Sequence, residues 1–587
     1  MTGRLLALVV GLALVAGCVS LPQGGGVSTR PGDGPAGQSV GTFDYTPSGP
    51  RPGSPPVAIV YDFLRAMQAA PQSTAVARKF LTDEARAGWF PERATLIYGS
   101  PPLVTGSEGA MRLSLRQTVQ LDDRGTWLGQ VGDGGDVDYG LQLVRERGEW
   151  RISNPPDALL IPQSHFESRY QQYFVYYFDP TGRVLVPEPT YLPFGEQAAT
   201  LLVRRLQRGP DPRLDGVLRT YVPASNKYVF SVPVTAAGVA DVEMPEQLLQ
   251  LGEEDRQMAF AQLAWTLRQV TGVVSMRVTV DDVPIDVRGA GSPQSVSSWS
   301  ELDPSIHWAS QELFGLREGR AVALSPDAEE VVAGFGATEY ALRDVAVDLA
   351  GELLAGVTED GTTVVRAPRG RSTDDPPGPE ETEVLYSGSD VLKPSWNVFD
   401  ELWVVDRTAT GAAVTVVSED GSSRVSAPGL EGEDVTAFVV SRDGSRLVAA
   451  VSGRSGDQLV VSRVRRGPGG RVRGMTPATE LPLAQRGVDE IRDLAWRSPG
   501  TLVVLTAPTP ESAQVLLALL DGSPALPDVD TTAEVLRRRA VGLASAPSPG
   551  TSVYLGGPGG GLFELAGDGQ WVTVEPATPL LAPTYVG

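Results

Sequence analysis

Cys18 is the residue whose setting most directly predicts chemistry. It closes Val15-Ala16-Gly17-Cys18, after Arg4 and an almost wholly apolar run from Leu5 to Ala16. A short apolar run behind a positive charge reads as a secretion signal. A small residue before the cysteine makes it a lipobox, whose thiol can take a diacylglycerol. The run is too short to cross a hydrocarbon core of about 30 Å, so it is not an anchor helix. The expectation is cleavage before Cys18, leaving an S-diacylglycerol, N-acyl cysteine at the head of a chain outside the cytoplasm. Cys18 is also the only cysteine, which excludes an internal disulfide. An ordinary signal with an incidental cysteine is the plainer alternative, and charge, apolar run and lipobox together favour lipidation.

The other residue types offer little for catalysis. Of the two histidines, His165 stands beside an aromatic run and His307 lies in Ile306-His307-Trp308. Packing or capping is the commoner role for each. The chain has no Gly-x-Ser-x-Gly elbow, no phosphate loop ending in Gly-Lys-Ser/Thr and no cysteine pair for zinc. Gly556 to Gly561 follows a strand but opens no helix, so it reads as a turn. Asp133, Asp136 and Asp138 invite a calcium reading, yet no Glu completes the loop and Asp138 falls on a strand's outer face. No catalytic, cofactor-binding or metal residue is therefore assigned, and the chain is not expected to be an enzyme. A net charge of −22 repels phosphate backbones and anionic headgroups, so nucleic acid is not an expected partner.

At 587 residues, 41% hydrophobic and 20% charged, the chain is globular and too long for one core. Residues 1–17 are the signal. Residues 18–56 form a Pro/Gly-rich linker with too few apolar positions to bury a core. A first domain spans 57–165. Val57, Val60, Tyr61, Leu64 and Met67 line one helix face, and a shorter helix follows around Val76 to Leu81. Met111, Leu113, Leu115, Val119 and Leu121 alternate with polar residues as one half-buried strand. Val137, Tyr139, Leu141 and Leu143 form the next, and Glu149-Trp150-Arg151-Ile152 closes the sheet. Helices before a curved antiparallel sheet resemble the cone-like α+β fold of the NTF2 superfamily. Tyr173 to Phe178 is the most aromatic run, and it reads as a strand before the turn at Asp179-Pro180-Thr181-Gly182, not as a binding patch.

A second domain spans 170–288. Ala198, Leu202 and Leu206 line a helix stopped by Gly209-Pro210, and Phe260, Leu263, Ala264, Leu267 and Val270 line another. Tyr228-Val229-Phe230, Val239 to Val242 and Val274 to Val280 read as strands. Leu206-Gln207-Arg208-Gly209-Pro210, Gly238-Val239-Ala240-Asp241-Val242 and Gln262 to Leu267 stand in the order of a GerMN module, a small α/β unit of exported envelope proteins, which this segment resembles. After a Gly/Ser/Pro stretch, residues 301–587 repeat. Ser325-Pro326-Asp327, Ser395-Trp396-Asn397, Ser441-Arg442-Asp443, Trp496-Arg497-Ser498 and Ala544 to Pro549 each precede an apolar strand. Hairpin signals follow at Asp360-Gly361, Asp420-Gly421, Asp521-Gly522 and Asp568-Gly569. Such spacing predicts an all-β propeller of five to seven blades, with the gap from Ser325 to Ser395 long enough to hide one.

Lipobox, linker, α+β domain, GerMN module and propeller, in that order, resemble the LpqB lipoproteins of actinobacteria. The scarcity of lysine (Lys79, Lys227 and Lys393 alone) fits a GC-rich host of that kind. The resemblance implies contact with the extracytoplasmic part of the sensor kinase MtrB. It also implies modulation of MtrA–MtrB signalling in cell-wall homeostasis and cell division. Cys18 carries over as the lipid attachment site, and no binding residue does. A carbohydrate-active envelope enzyme, or a sensor of a cell-wall fragment, remains the alternative.

Overall fold

The computed structural model describes residues 45–587 apart from 133, 225–230, 288, 290, 307, 325–328, 331–340, 370–381, 484–489, 525–534, 549, 568 and 575–578. The signal, Cys18, the strand expected at Tyr228 to Phe230, and the first repeat copy at Ser325 to Asp327 lie outside the described residues. Tyr45, assigned to the linker by composition, already pairs with Ala70 through two backbone hydrogen bonds of 2.9 and 3.0 Å.

Pro56 starts the first helix, Pro56–Ala66, where its missing N–H costs nothing. The helix buries Ile59, Val60, Phe63 and Leu64, with Phe63 set 5.5 Å from Trp89 and 6.5 Å from Phe80. Two four-stranded sheets complete this part. One runs Trp127–Gln130, Val119–Asp122, Ala94–Tyr98, Leu159–Pro162, and its last pair is parallel. The other runs Leu103–Ser107, Ala110–Leu115, Val137–Glu146, Glu149–Ile152. The expected single strand from Met111 to Leu121 is thus two strands in two sheets. Gln117 turns the chain between them at φ 51°, and Thr118 donates its N–H to Gly135. Gln117 sits where the alternation called for an apolar residue, and that gap was the signal.

A long antiparallel hairpin, Tyr170–Phe178 with Leu185–Pro193, follows. Its turn is tied by the Asp179 carboxylate, which accepts from the N–H groups of Thr181, Arg183 and Val184 at 2.8–3.0 Å. Of the aromatic run, Tyr173, Tyr176, Tyr177 and Phe178 are buried, so these rings build a core and do not face solvent. Helices Ala198–Arg208 and Glu253–Leu267 pack on the hairpin, and parallel strands Val239–Glu243 and Ser275–Val280 lie beyond. The fully buried Gln262 side chain joins helix to hairpin, donating to the Tyr176 carbonyl at 2.9 Å and accepting from the Tyr221 N–H at 2.7 Å.

Among the described residues, six sheets follow in the repeat region. Their first strands are Leu342–Val347, Ser395–Trp396, Val435–Val440, Ile491–Ser498, Gly542–Ala544 and, for the first blade, Leu581–Thr584 from the other end of the region. These innermost strands pack side by side in a closed ring, so the last strand, paired with Leu313–Arg317, shuts the propeller. The long gap in the repeat holds the blade beginning at Leu342. Because each blade is sandwiched between neighbours, its second strand is buried on both faces; all six residues of Arg446–Val451 are buried. That is why these strands read as continuous apolar runs instead of alternating ones. Gly556 to Gly561 forms a tight turn, with the Gly557 N–H on the Gly561 carbonyl at 2.8 Å.

The hairpin locks the three parts together. On one side Tyr191 packs on Trp127 and Phe166, and its N–H donates to the Gly125 carbonyl at 2.8 Å. Gly125 must be glycine here: its φ is 75°, and a Cβ would come within 2.7 Å of the Tyr191 carbonyl oxygen. On the other side Glu188 accepts from Arg446 at 2.7 Å and from Arg463 at 2.6 Å, while Arg446 also donates to the Pro187 carbonyl at 2.6 Å. Gln172 and Tyr191 reach Asp521 and Ser523 of the fifth blade at 3.0 and 2.5 Å. Asp521-Gly522, expected as a blade hairpin, is therefore part of this junction.

Candidate interaction site at the propeller mouth

The junction uses loops that leave the far ends of the innermost strands, such as Ser441 to Ser445 after Val440. The opposite end of the channel, where those strands begin, opens into a cavity of about 610 Å³. Strand starts at Leu342, Gly542 and Leu581 frame it. Four carboxylates line it, Glu318, Asp344, Glu359 and Asp493, against two cations, Arg343 and Lys393. Arg343 is already engaged, donating to Asp390 and to the Val391 carbonyl, each at 2.7 Å.

Asp493 clamps two blades: its carboxylate accepts from the Leu494 N–H and from the Leu543 N–H of the next blade, both at 2.8 Å. Its depth in the channel raises its pKa against the pull of Lys393. The Asp344 carboxylate accepts no hydrogen bond from a described residue, and Arg343 Nε stands 3.8 Å from it. Its depth, only partly offset by Lys393 and Arg343 and reinforced by Asp493, pushes its carboxyl up to about 6. The mouth thus holds negative charge at neutral pH and loses part of it on mild acidification.

This carries a stability prediction. A carboxyl whose folded pKa lies above its unfolded value makes the fold more stable as pH falls from about 6 towards 4, and less stable as pH rises through that window. Solvent still reaches 31% of the Asp344 side chain, so the effect is discounted. Asp344→Asn should gain about 1–2 kcal/mol at pH 7.5 and close to nothing near pH 4, measured by thermal unfolding at both pH values. An equal effect at both would show that the charge is not the cause.

Of the residues singled out from the sequence, Cys18, His307 and Asp133 lie outside the described residues. His165 is half-buried, with its ring 6.4 Å from that of Tyr170. Burial and nearby Arg169 push its pKa down to about 4, so it is neutral at physiological pH. Asp136 pairs with Arg116 at 2.8 Å and Asp138 is exposed on its strand. Among the described residues no group of three His, Cys, Asp or Glu side chains is placed to hold a metal. None of the charged mouth residues is assigned a role by the sequence, because they come from four different blades and share no local motif. The one available signal was Lys393, a rare lysine just ahead of a blade's first strand.

Comparison with known proteins gives three family matches along the chain. Residues 49–167 match the N-terminal domain of lipoprotein LpqB, 174–286 match a family described as sporulation and spore germination, and 319–585 match the LpqB β-propeller domain. Lipoprotein LpqB of Thermobifida fusca is 29% identical over 575 residues, covering 87% of this chain and 88% of that protein. Its counterpart in Mycolicibacterium smegmatis is 28% identical, covering 80% of this chain and 81% of that one. The Mycobacterium tuberculosis protein is 26% identical, with coverage of 96% and 95%. The fold defines a multidomain, mostly β protein with a propeller as its largest part, and the relatives it resembles along its length are lipoproteins. Among the described residues no helix is long and apolar enough to cross a membrane. Along most of its length the chain is similar to the LpqB lipoproteins, with the LpqB N-terminal and propeller family models matched on either side of the middle domain.

Proposed function

We propose that this is an extracytoplasmic lipoprotein, tied to the cell membrane by acyl groups on Cys18, that modulates a sensor kinase of the MtrA–MtrB type through protein contact. Cell-wall homeostasis and cell division would be the processes served. The observation that carries the contact reading is the carboxylate-rich mouth, at the end of the channel away from the domain junction. Charge of one sign in a concave, partly desolvated site favours a partner of the opposite sign. A basic loop of the kinase's extracytoplasmic domain is the partner element that fits.

The remaining parts are read as follows. Residues 18–56 are tether, 57–165 a cone-like scaffold of the NTF2 kind, 170–288 a GerMN module and 301–587 the propeller. What supports this reading is the first helix packed over two sheets and the helix–hairpin core that follows it. The test of the contact is hydrogen exchange on the mature, detergent-solubilised protein with and without the kinase's extracytoplasmic domain. Slowed exchange is expected at 341–344, 541–542 and 581–583. Slowing confined to other surfaces would reject the mouth as the contact.

A carbohydrate-active reading has one observation in its favour: Asp344, its carboxyl pushed up to about 6 by burial, shares the mouth with Asp493. A glycosidase needs one such carboxyl protonated and another ionised. Hydrolysis of purified cell wall, abolished by Asp344→Asn, would establish it; an inert wild-type protein removes it.

A further inference from the structure

A second cavity, of about 450 Å³, lies where all three parts meet, and its charge runs against that of the chain as a whole. Five guanidinium groups line it: Arg124 from the first domain, Arg205 and Arg213 from the second, and Arg463 and Arg465 from the fourth blade. Two carboxylates accompany them, Glu188 and Asp211, and both are already used. Glu188 is held by Arg446 and Arg463, and Asp211 is held by Arg213 through contacts of 2.6–3.2 Å.

Three cations are left without a hydrogen-bonded carboxylate. Arg124 donates to the Gly209 carbonyl at 2.5 Å, and Arg205 donates to the Asp123 carbonyl. The Arg465 side chain makes no hydrogen bond or ion pair with any described residue, and it is exposed at the rim. Within a protein of net charge −22, a concave site with surplus positive charge is a local reversal that packing does not require. The wall between these groups is apolar: Tyr177 and Leu218 on one side, Val461 and Pro477 on the other. Enclosure, an apolar wall and a few convergent polar groups are the marks of a small-molecule site. Guanidinium groups match carboxylate and phosphate oxygens two at a time.

We propose that this three-domain cleft binds a small organic anion, with a carboxylate or phosphate head on Arg124, Arg205 and Arg465 and an apolar body against Tyr177 and Val461. Since the walls belong to all three parts, the occupant acts as a clasp, and its binding raises the resistance of the junction to heat. The site is separate from the propeller mouth, and its test is independent of any protein partner.

The test uses the mature protein in detergent and calorimetric titration with phenyl phosphate, with benzoate in a parallel arm to separate phosphate from carboxylate. Saturable binding is expected, weaker by about tenfold or more for inorganic phosphate and for phenol, each of which supplies half of the interaction. Arg465→Glu, at an exposed position that should not disturb folding, should weaken phenyl phosphate by at least about tenfold. The Asp344→Asn protein should bind it like wild type. No saturable heat from either aromatic anion, or binding unchanged by Arg465→Glu, overturns the proposal.

Discussion

Glu188→Ala should split the heat unfolding of this protein into separate transitions for the hairpin-bearing domain and the propeller. The Glu188 carboxylate is the shared acceptor of Arg446 and Arg463 across their junction. The Arg446 side chain is 1% exposed, and burial presses its pKa down to about 10, so it stays protonated at neutral pH. Removing the acceptor leaves a buried cation with only the Pro187 carbonyl at 2.6 Å, Ser445 at 3.0 Å and Asp443 at 3.6 Å. Breaking one side of a buried pair costs about 3–5 kcal/mol. Glu188→Gln keeps the volume and an acceptor oxygen, so its cost should be smaller. Differential scanning calorimetry decides the matter: one unshifted transition in Glu188→Ala would show that other contacts hold the junction.

Cys18→Ala should abolish fatty-acid incorporation into the chain. Each buried methylene of an acyl chain contributes about 0.8 kcal/mol, and two or three chains make a durable anchor where one is marginal. A net charge of −22 is repelled by anionic headgroups, and among the described residues no helix can cross a membrane. Growth with an alkyne-tagged fatty acid, followed by capture of the protein, gives the readout. Label on wild type and none on Cys18→Ala is the expected pair; label persisting on the variant would place the acyl groups elsewhere.

Local patterns exposed much of this architecture to sequence reasoning. The stripe from Phe260 to Leu267 and the stop at Gly209 mark helices because they are read within a few turns. The repeated apolar strands mark blades because every blade is buried on both faces. What stayed hidden depends on distant partners. The blade from Leu342 carries none of the repeat copies: its first strand runs into Asp348-Leu349-Ala350-Gly351, without the serine that opens Ser395-Trp396-Asn397 and Ser441-Arg442-Asp443. Ser441 to Arg446 reads as an ordinary turn, yet Arg442 crosses the channel to the Val586 carbonyl at 2.9 Å and Arg446 reaches into another domain. Buried arginines carry no local sign of burial, since their cost is offset by acceptors hundreds of positions away. The mouth and the arginine cleft are illegible for the same reason: each is assembled from several domains or blades.

The contact reading is tested most directly by calorimetric titration of the mature protein with the purified extracytoplasmic domain of the sensor kinase. Glu318 and Glu359, both exposed at the mouth, supply the variant, with each changed to Lys. Saturable binding by wild type, weakened by about tenfold or more in the double variant and by added salt, is the predicted result. Absence of a complex at high micromolar concentration, or equal affinity in the double variant, would contradict the account.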